Sequence, residues 1–432
     1  MRVLFSAFPL ALLLAASPAP SSALAQAPPA SRAAVLELAR QEQQPLLETL
    51  RDLVQIESGS RDVEGLARIA ALIAARLQQR GATVEILEPV DIHRLDDTPE
   101  RIGPMVLARL QGQGTTNILL LAHMDTVYPP GMLKDQPFRL DGDRAWGLGI
   151  GDDKQGVAAI IHTVGLLQKL GFSDYGVLTV LINGDEEISS PGARNTITRL
   201  AAAQDAVLSF EGGGADGALR LATSGIGAAY LTVQGKAAHA GVSPEQGVNA
   251  LYELSHQLLQ MRDLSRPAQG LKLHWTVASA GTHRNVVPAQ ARAQADARAL
   301  QLADFNALEQ AMQARVQNQL LPESRVQLKF EVRRPPLAAS AASRRVAAHA
   351  RRIYREIGLQ LPVLEEATGG GTDAAFAALQ ARGAVVEGMG LGSLGAHSGN
   401  AEHVLIGSIV PRLYLATRLV MDLSRGAAGE RR

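Results

Sequence analysis

The chain has 432 residues, more than one ordinary core holds, which points to two or three domains. Its 42 Lys and Arg balance 42 Asp and Glu, so no net field draws it onto nucleic acid or another strongly charged surface. Hydrophobic residues make up 46% and charged residues 19%, a globular composition; no cysteine is present, so there is no disulfide and any metal site must be built from His, Asp and Glu.

The chain opens with Arg2, an apolar run from Val3 to Ala16, and the small-x-small sequence Ala23-Leu24-Ala25. That is the grammar of an export signal, predicted over residues 1–25 and cleaved near Ala25, and it places the mature protein in the periplasm or outside the cell. The apolar run is too short for a membrane span and none follows that is long enough. Helical periodicity then covers residues 33 to 79 and stops at Gly81. "TVEILEP", "MVLARLQG" and "NILLLAHMD" read as strands, and "KQGVAAIIHTVGLLQKLG" as an amphipathic helix ending at Gly171. "GVLTVLING", a helix through "GARNTITRLAAA" and the strand "DAVLSFE" continue the alternation, which predicts an α/β layer with a mixed, mostly parallel sheet.

After Ala222 the order changes to β-α-β-β-α-β, from "IGAAYLTVQGKA" to "RVQLKFEVRR", a compact ferredoxin-like unit closed by Pro335-Pro336. The helical segments "SRRVAAHARRIYREIG", "DAAFAALQARG" and "SIVPRLYLATRLVMDLS" then resume the first pattern. The sequence therefore predicts a discontinuous domain, residues 33–222 and 336–424, interrupted by a second one at 223–335.

Acidic and His clusters recur where predicted strands end: His123 and Asp125, Asp152 and Asp153, Asp185-Glu186-Glu187, Glu211, and His397. Each by itself reads as a cap or turn. Together, at successive strand ends of one α/β layer, they match what a pair of cations requires: His and carboxylate ligands, one carboxylate that bridges, and one acid left free to move protons. Two His, Asp152, Glu187 and Glu211 supply the ligands and leave Glu186 over.

The order H-x-D, G-D-D-K, D-E-E, S-F-E and a late H-S resembles the di-zinc aminoacylase and carboxypeptidase family of metallopeptidases, over residues 40 to 424. "HMDTVY", "TSGI", "GVNAL", "TGGGTDAAFAAL" and "PRLYLATRLVMDL" make it most similar to the exported, folate-cleaving glutamate carboxypeptidases. The resemblance implies two Zn2+ per subunit: Asp152 bridging, His123 and Glu211 on one ion, Glu187 and His397 on the other. It implies Glu186 as general base and Asp125 as the residue that orients His123. His239 would stabilise the oxyanion and Asn285 bind substrate, both from the partner subunit of a homodimer formed by the inserted domain. Arg334, with Arg333 its rival, and Gly370 in "TGGGTD" are the candidates for the substrate carboxylate. Gly212-Gly213, Gln155 and Gly399-Asn400 depart from the family pattern and are expected to reshape the pocket. The function implied is hydrolysis of the amide bond to a C-terminal amino acid, glutamate foremost, in peptides or N-acyl conjugates. An N-acyl amino acid amidohydrolase of different preference is the near alternative, and a periplasmic solute-binding protein the distant one.

Overall fold

The computed structural model describes residues 31–427; the export signal expected at 1–25 lies outside the described residues. A six-stranded sheet runs Thr83–Leu87, Met105–Gln111, Val177–Asn183, Ile118–His123, Ala206–Ser209, Ala384–Val386. The first three strands join antiparallel and the rest parallel. Every residue of Ile118–His123 is buried, as its unbroken apolar run requires of a central strand covered on both faces. Each fully buried Leu or Ile there contributes about 1.5–3 kcal/mol, which anchors the strand end that carries His123.

Helix Gln155–Lys169 packs behind this sheet and corrects the amphipathic expectation: residues 155 to 167 are all buried, because neighbouring helices cover the side away from the strands. Gly171, at φ +60°, follows it as the sequence suggested.

The inserted strands form a separate antiparallel sheet, ordered Lys272–Ala280, Gln290–Ala299, Gly225–Gln234, Arg325–Arg334. Helices Ala250–Gln260 and Leu302–Arg315 cover one face around their own core of Leu231, Val233, Ala293, Phe305 and Met312. The opposite face carries Ile226, Ala228, Tyr230, Gln294 and Arg298 toward the main domain, where they form part of a cleft wall. A further four-stranded sheet was not anticipated: Ser393–Leu394, His403–Leu405, Arg144–Trp146 and Arg139–Asp141. Its strands are only two or three residues long, too short for any period to show.

Candidate active site

Three neighbouring parallel strands end at one place. His123 closes Ile118–His123, the turn of Glu186 and Glu187 follows Val177–Asn183, and Glu211 follows Ala206–Ser209. Asp152 enters from the turn Ile150–Lys154 ahead of the buried helix. His397 enters from the loop between two strands of the small sheet, with φ at 64°, unusual for a non-glycine residue and typical of strained functional positions.

The side chains form two groups sharing Asp152. His123 Nε2 is 3.0 Å from Asp152 Oδ1 and 3.4 Å from Glu211 Oε1. His397 Nε2 is 3.2 Å from Asp152 Oδ2 and 3.2 Å from Glu187 Oε2. Asp152 thus turns one oxygen to each imidazole. Glu187 Oε1 is buried with no hydrogen-bond partner. Two imidazoles, three carboxylates, no thiolate and one orphaned oxygen suit a pair of borderline cations such as zinc.

The electrostatics favour positive charge. Hydrogen bonds to Asp152 and Glu187 push His397 up to about 11. Burial opposes protonation of His123, yet Glu211, Asp125 and Asp152 hold its pKa well above the ordinary value. Burial and the nearby Asp152 charge push Glu211 up to about 7, against the pull of His123. A cation bound to neutral imidazoles answers the same field, so its binding releases protons.

Supporting residues fix this arrangement. Asp125 Oδ1 accepts from the Glu186 N–H (3.0 Å) and Oδ2 from the Glu187 N–H (3.1 Å), while Oδ1 also lies 3.2 Å from His123 Nδ1. One carboxylate therefore orients the imidazole and pins the acidic turn. Asp185 accepts from Gly192 and Ala193 N–H and supports the turn from behind. Glu186 belongs to neither group. Burial pushes its carboxyl well above the ordinary value, against Arg334 and His123.

Arg334 is 2% exposed: Nη1 contacts Glu186 Oε1 (2.7 Å) and Asp373 Oδ1 (2.8 Å), and Nη2 donates to the Glu186 carbonyl (2.8 Å). Its fork is occupied, although Nε, also buried, has no partner. Gly369, Gly370 and Gly371 line the cleft of about 680 Å³ that holds Asp152, Glu186, Glu187, Glu211 and His397. Gly370 has open space around it, whereas a Cβ on Gly371 would meet Ile226 at 2.8 Å and Arg334 at 3.0 Å.

His239 and Asn285 sit together on the inserted unit, where Ala240 N–H donates to the Asn285 carbonyl. Both are exposed, and neither is among the residues lining the cleft. A second groove of about 880 Å³ adjoins them, lined by Leu251, Tyr252 and Val286 among others.

Sequence reasoning missed Glu402. It is 1% exposed and accepts from Gly151, Asp152 and Gly149 N–H and from the Tyr128 hydroxyl, so it braces the turn that presents Asp152. Its place five residues after His397 was the only signal. Arg298 also lines the cleft, tied to Asp296 and the Gly369 carbonyl. The departures from the family pattern do not reach the cleft. Gln155 is buried on Asp153 and the Phe210 carbonyl. A Cβ on Gly212 would strike Ser393 Oγ at 2.2 Å and one on Gly213 would strike Arg412 Nη2 at 2.2 Å, so both glycines answer to packing. His403, close in sequence to His397, packs against Trp146 with ring centroids 4.4 Å apart.

Carboxylates and imidazoles gathered at the ends of parallel strands, with one acid outside both groups, define a metal-dependent hydrolase. The chain belongs to the peptidase family M20/M25/M40, whose model matches residues 119–422, and is a metallopeptidase. It is 42% identical over 393 residues to carboxypeptidase G2 of Pseudomonas sp. (strain RS-16), covering 91% of this chain and 92% of that one. Its fold is shared by an M20 family metallo-carboxypeptidase from Sulfolobus solfataricus (16% identity, TM-score 0.69, 87% of this chain and 98% of that one). A tripeptidase from Staphylococcus aureus also shares it (19% identity, TM-score 0.73, 89% and 99%).

Proposed function

We propose that this chain is a di-zinc exopeptidase that releases a C-terminal amino acid, glutamate foremost, from peptides or N-acyl conjugates. The observation that carries this reading is Asp152, with an oxygen toward each of two His–carboxylate groups, beside an acid that joins neither. The 42% identity to a carboxypeptidase supports the exopeptidase direction. His123, Asp152 and Glu211 would hold one ion, and Asp152, Glu187 and His397 the other. When bound, the two ions supply polarisation of the scissile carbonyl and acidification of a water.

The chain's own residues do the rest. Glu186, buried and with a raised pKa, takes a proton from the attacking water and returns it to the leaving nitrogen. Its hydrogen-bonded backbone, held by Asp125 and Arg334, keeps the carboxylate in one place between these transfers. The substrate's α-carboxylate is assigned to Arg334, which lines the cleft wall with Gly370.

His239 and Asn285 complete the site from the partner subunit, His239 donating to the developing oxyanion. Their joint exposure on the inserted unit, next to a groove with Tyr252 62% exposed, supports a homodimer made by residues 223–335, with catalysis housed in 33–222 and 336–424. Export to the periplasm or medium follows from residues 1–25; among the described residues no helix is long and apolar enough to cross a membrane.

The test is release of glutamate from an N-acyl-glutamate by the purified chain, with metal stripped and restored. Activity should vanish on chelation and return with zinc. Glu186→Gln should retain metal while losing at least about a hundredfold in kcat, the size expected of a general base. An enzyme that stays active both without metal and as Glu186→Gln refutes the reading.

A further inference from the structure

The cleft holds three arginines, and their engagement differs. Arg298 is bound through two nitrogens to Asp296 and through a third to the Gly369 carbonyl. Arg334 is committed to Glu186 and Asp373. Arg333 has weaker ties: Nη2 to Asp97 Oδ1 at 2.8 Å, Nη1 to the Tyr230 hydroxyl at 3.1 Å, and Nε to Ser189 Oγ at 3.3 Å. Glu331 is 3.6 Å away, and Asp97, its nearest carboxylate, has a side chain 50% exposed. The Asp97 pair uses a single carboxylate oxygen and its partner is half exposed, so an incoming carboxylate can replace it.

The backbone explains why two consecutive arginines reach one cleft. Successive residues of a strand face opposite sides. Val332 pairs with Gly227 and Arg334 with Ile226, so the register shifts across Arg333. This bulge turns Arg334 to the side already occupied by Arg333, and both line the cleft with Ser189, two residues beyond Glu187. Two guanidinium groups side by side, one against the general base and one a step further along, match two carboxylates on one small molecule.

We propose that Arg333 reads the side-chain carboxylate of the C-terminal residue and makes the cleft selective for acidic residues over neutral isosteres. This rests on the exopeptidase reading above and gives its substrate preference a residue. Asp97 competes with the substrate for the same fork.

The experiment compares N-acyl-glutamate with N-acyl-glutamine, equal in shape and lacking the second charge, on wild type, Arg333→Gln and Asp97→Asn. Arg333→Gln should lose at least about tenfold in kcat/KM on the glutamate substrate, chiefly through KM, and stay within about twofold on glutamine, because a lost charge-assisted contact affects only the ligand that made it. Asp97→Asn should raise kcat/KM on glutamate. Equal losses on both substrates would make Arg333 a strap between the inserted unit and the Asp97 loop and overturn the proposal, as would an unchanged preference. A wild-type enzyme that hydrolyses neither substrate overturns the exopeptidase reading itself; one that prefers glutamate whatever stands at 333 overturns only the role of Arg333.

Discussion

The Asp125 carboxylate is shared among four groups: the His123 ring, the Glu186 and Glu187 N–H groups, and the Ser60 hydroxyl at 2.7 Å. Its H-x-D spacing from His123 made the first of these contacts legible in the sequence. The hold on the acidic turn was not, because residues 125 and 186 meet only when their strands pair. Asp125→Asn keeps the shape but turns an amide N–H₂ toward one of these donors. Metal affinity, measured by chelator competition, should fall about ten- to hundredfold, and kcat with it. An unchanged affinity would reduce Asp125 to packing. The three adjacent acids likewise divide by surroundings: Asp185 is tied to backbone N–H groups, Glu186 to Arg334, and Glu187 to His397.

At the scale of elements, helix Gln155–Lys169 shows how burial constrains polar residues. His162, 1% exposed, bonds Glu42 Oε2 at 2.5 Å and Thr49 Oγ1 at 2.9 Å, and Lys169 also pairs with Glu42. Burial lowers the His162 pKa below 6.5 despite Glu42. Burial alone would raise Glu42, but His162 and Lys169 bring it from 4.5 down to about 2. Both folded values lie below the unfolded ones, so the unfolded chain binds more protons and stability falls with pH. The His162 contribution is complete above 6.5 and is lost below it; that of Glu42 is lost between 4.5 and about 2. Between pH 7 and 5 the thermal midpoint of wild type should therefore lose ground to that of His162→Gln, which cannot charge. Parallel slopes for the two proteins would show that His162 carries no such linkage. The sequence marked this helix by its period, but only the packing of the N-terminal helices against it explains why its apolar face has no exposed counterpart.

For the whole molecule, the separation of His239 and Asn285 from the acidic cluster is the main consequence of the fold. A homodimer that exchanges these residues makes a mixing prediction. His239→Ala and Glu186→Gln should each be inactive alone. Refolded together in equal amounts, they should regain about a quarter of wild-type activity, since half the dimers are mixed and each mixed dimer has one intact site. No recovery beyond the sum of the two variants would place His239 outside the partner's site.

The sequence alone determined the alternation of strands and helices, the β-α-β-β-α-β insertion and the residue types at strand ends, because periodicity, turn residues and strand-end chemistry are local properties. The tertiary structure decided what depends on distant contacts. It placed Glu402 behind Asp152, occupied the Arg334 fork with Glu186 and Asp373, paired Arg333 with Asp97, and set Gly212, Gly213 and Gln155 into packing instead of the cleft. A side chain's role at a site depends on which neighbours satisfy its charge and hydrogen bonds, and those neighbours come from segments that the linear sequence keeps far apart.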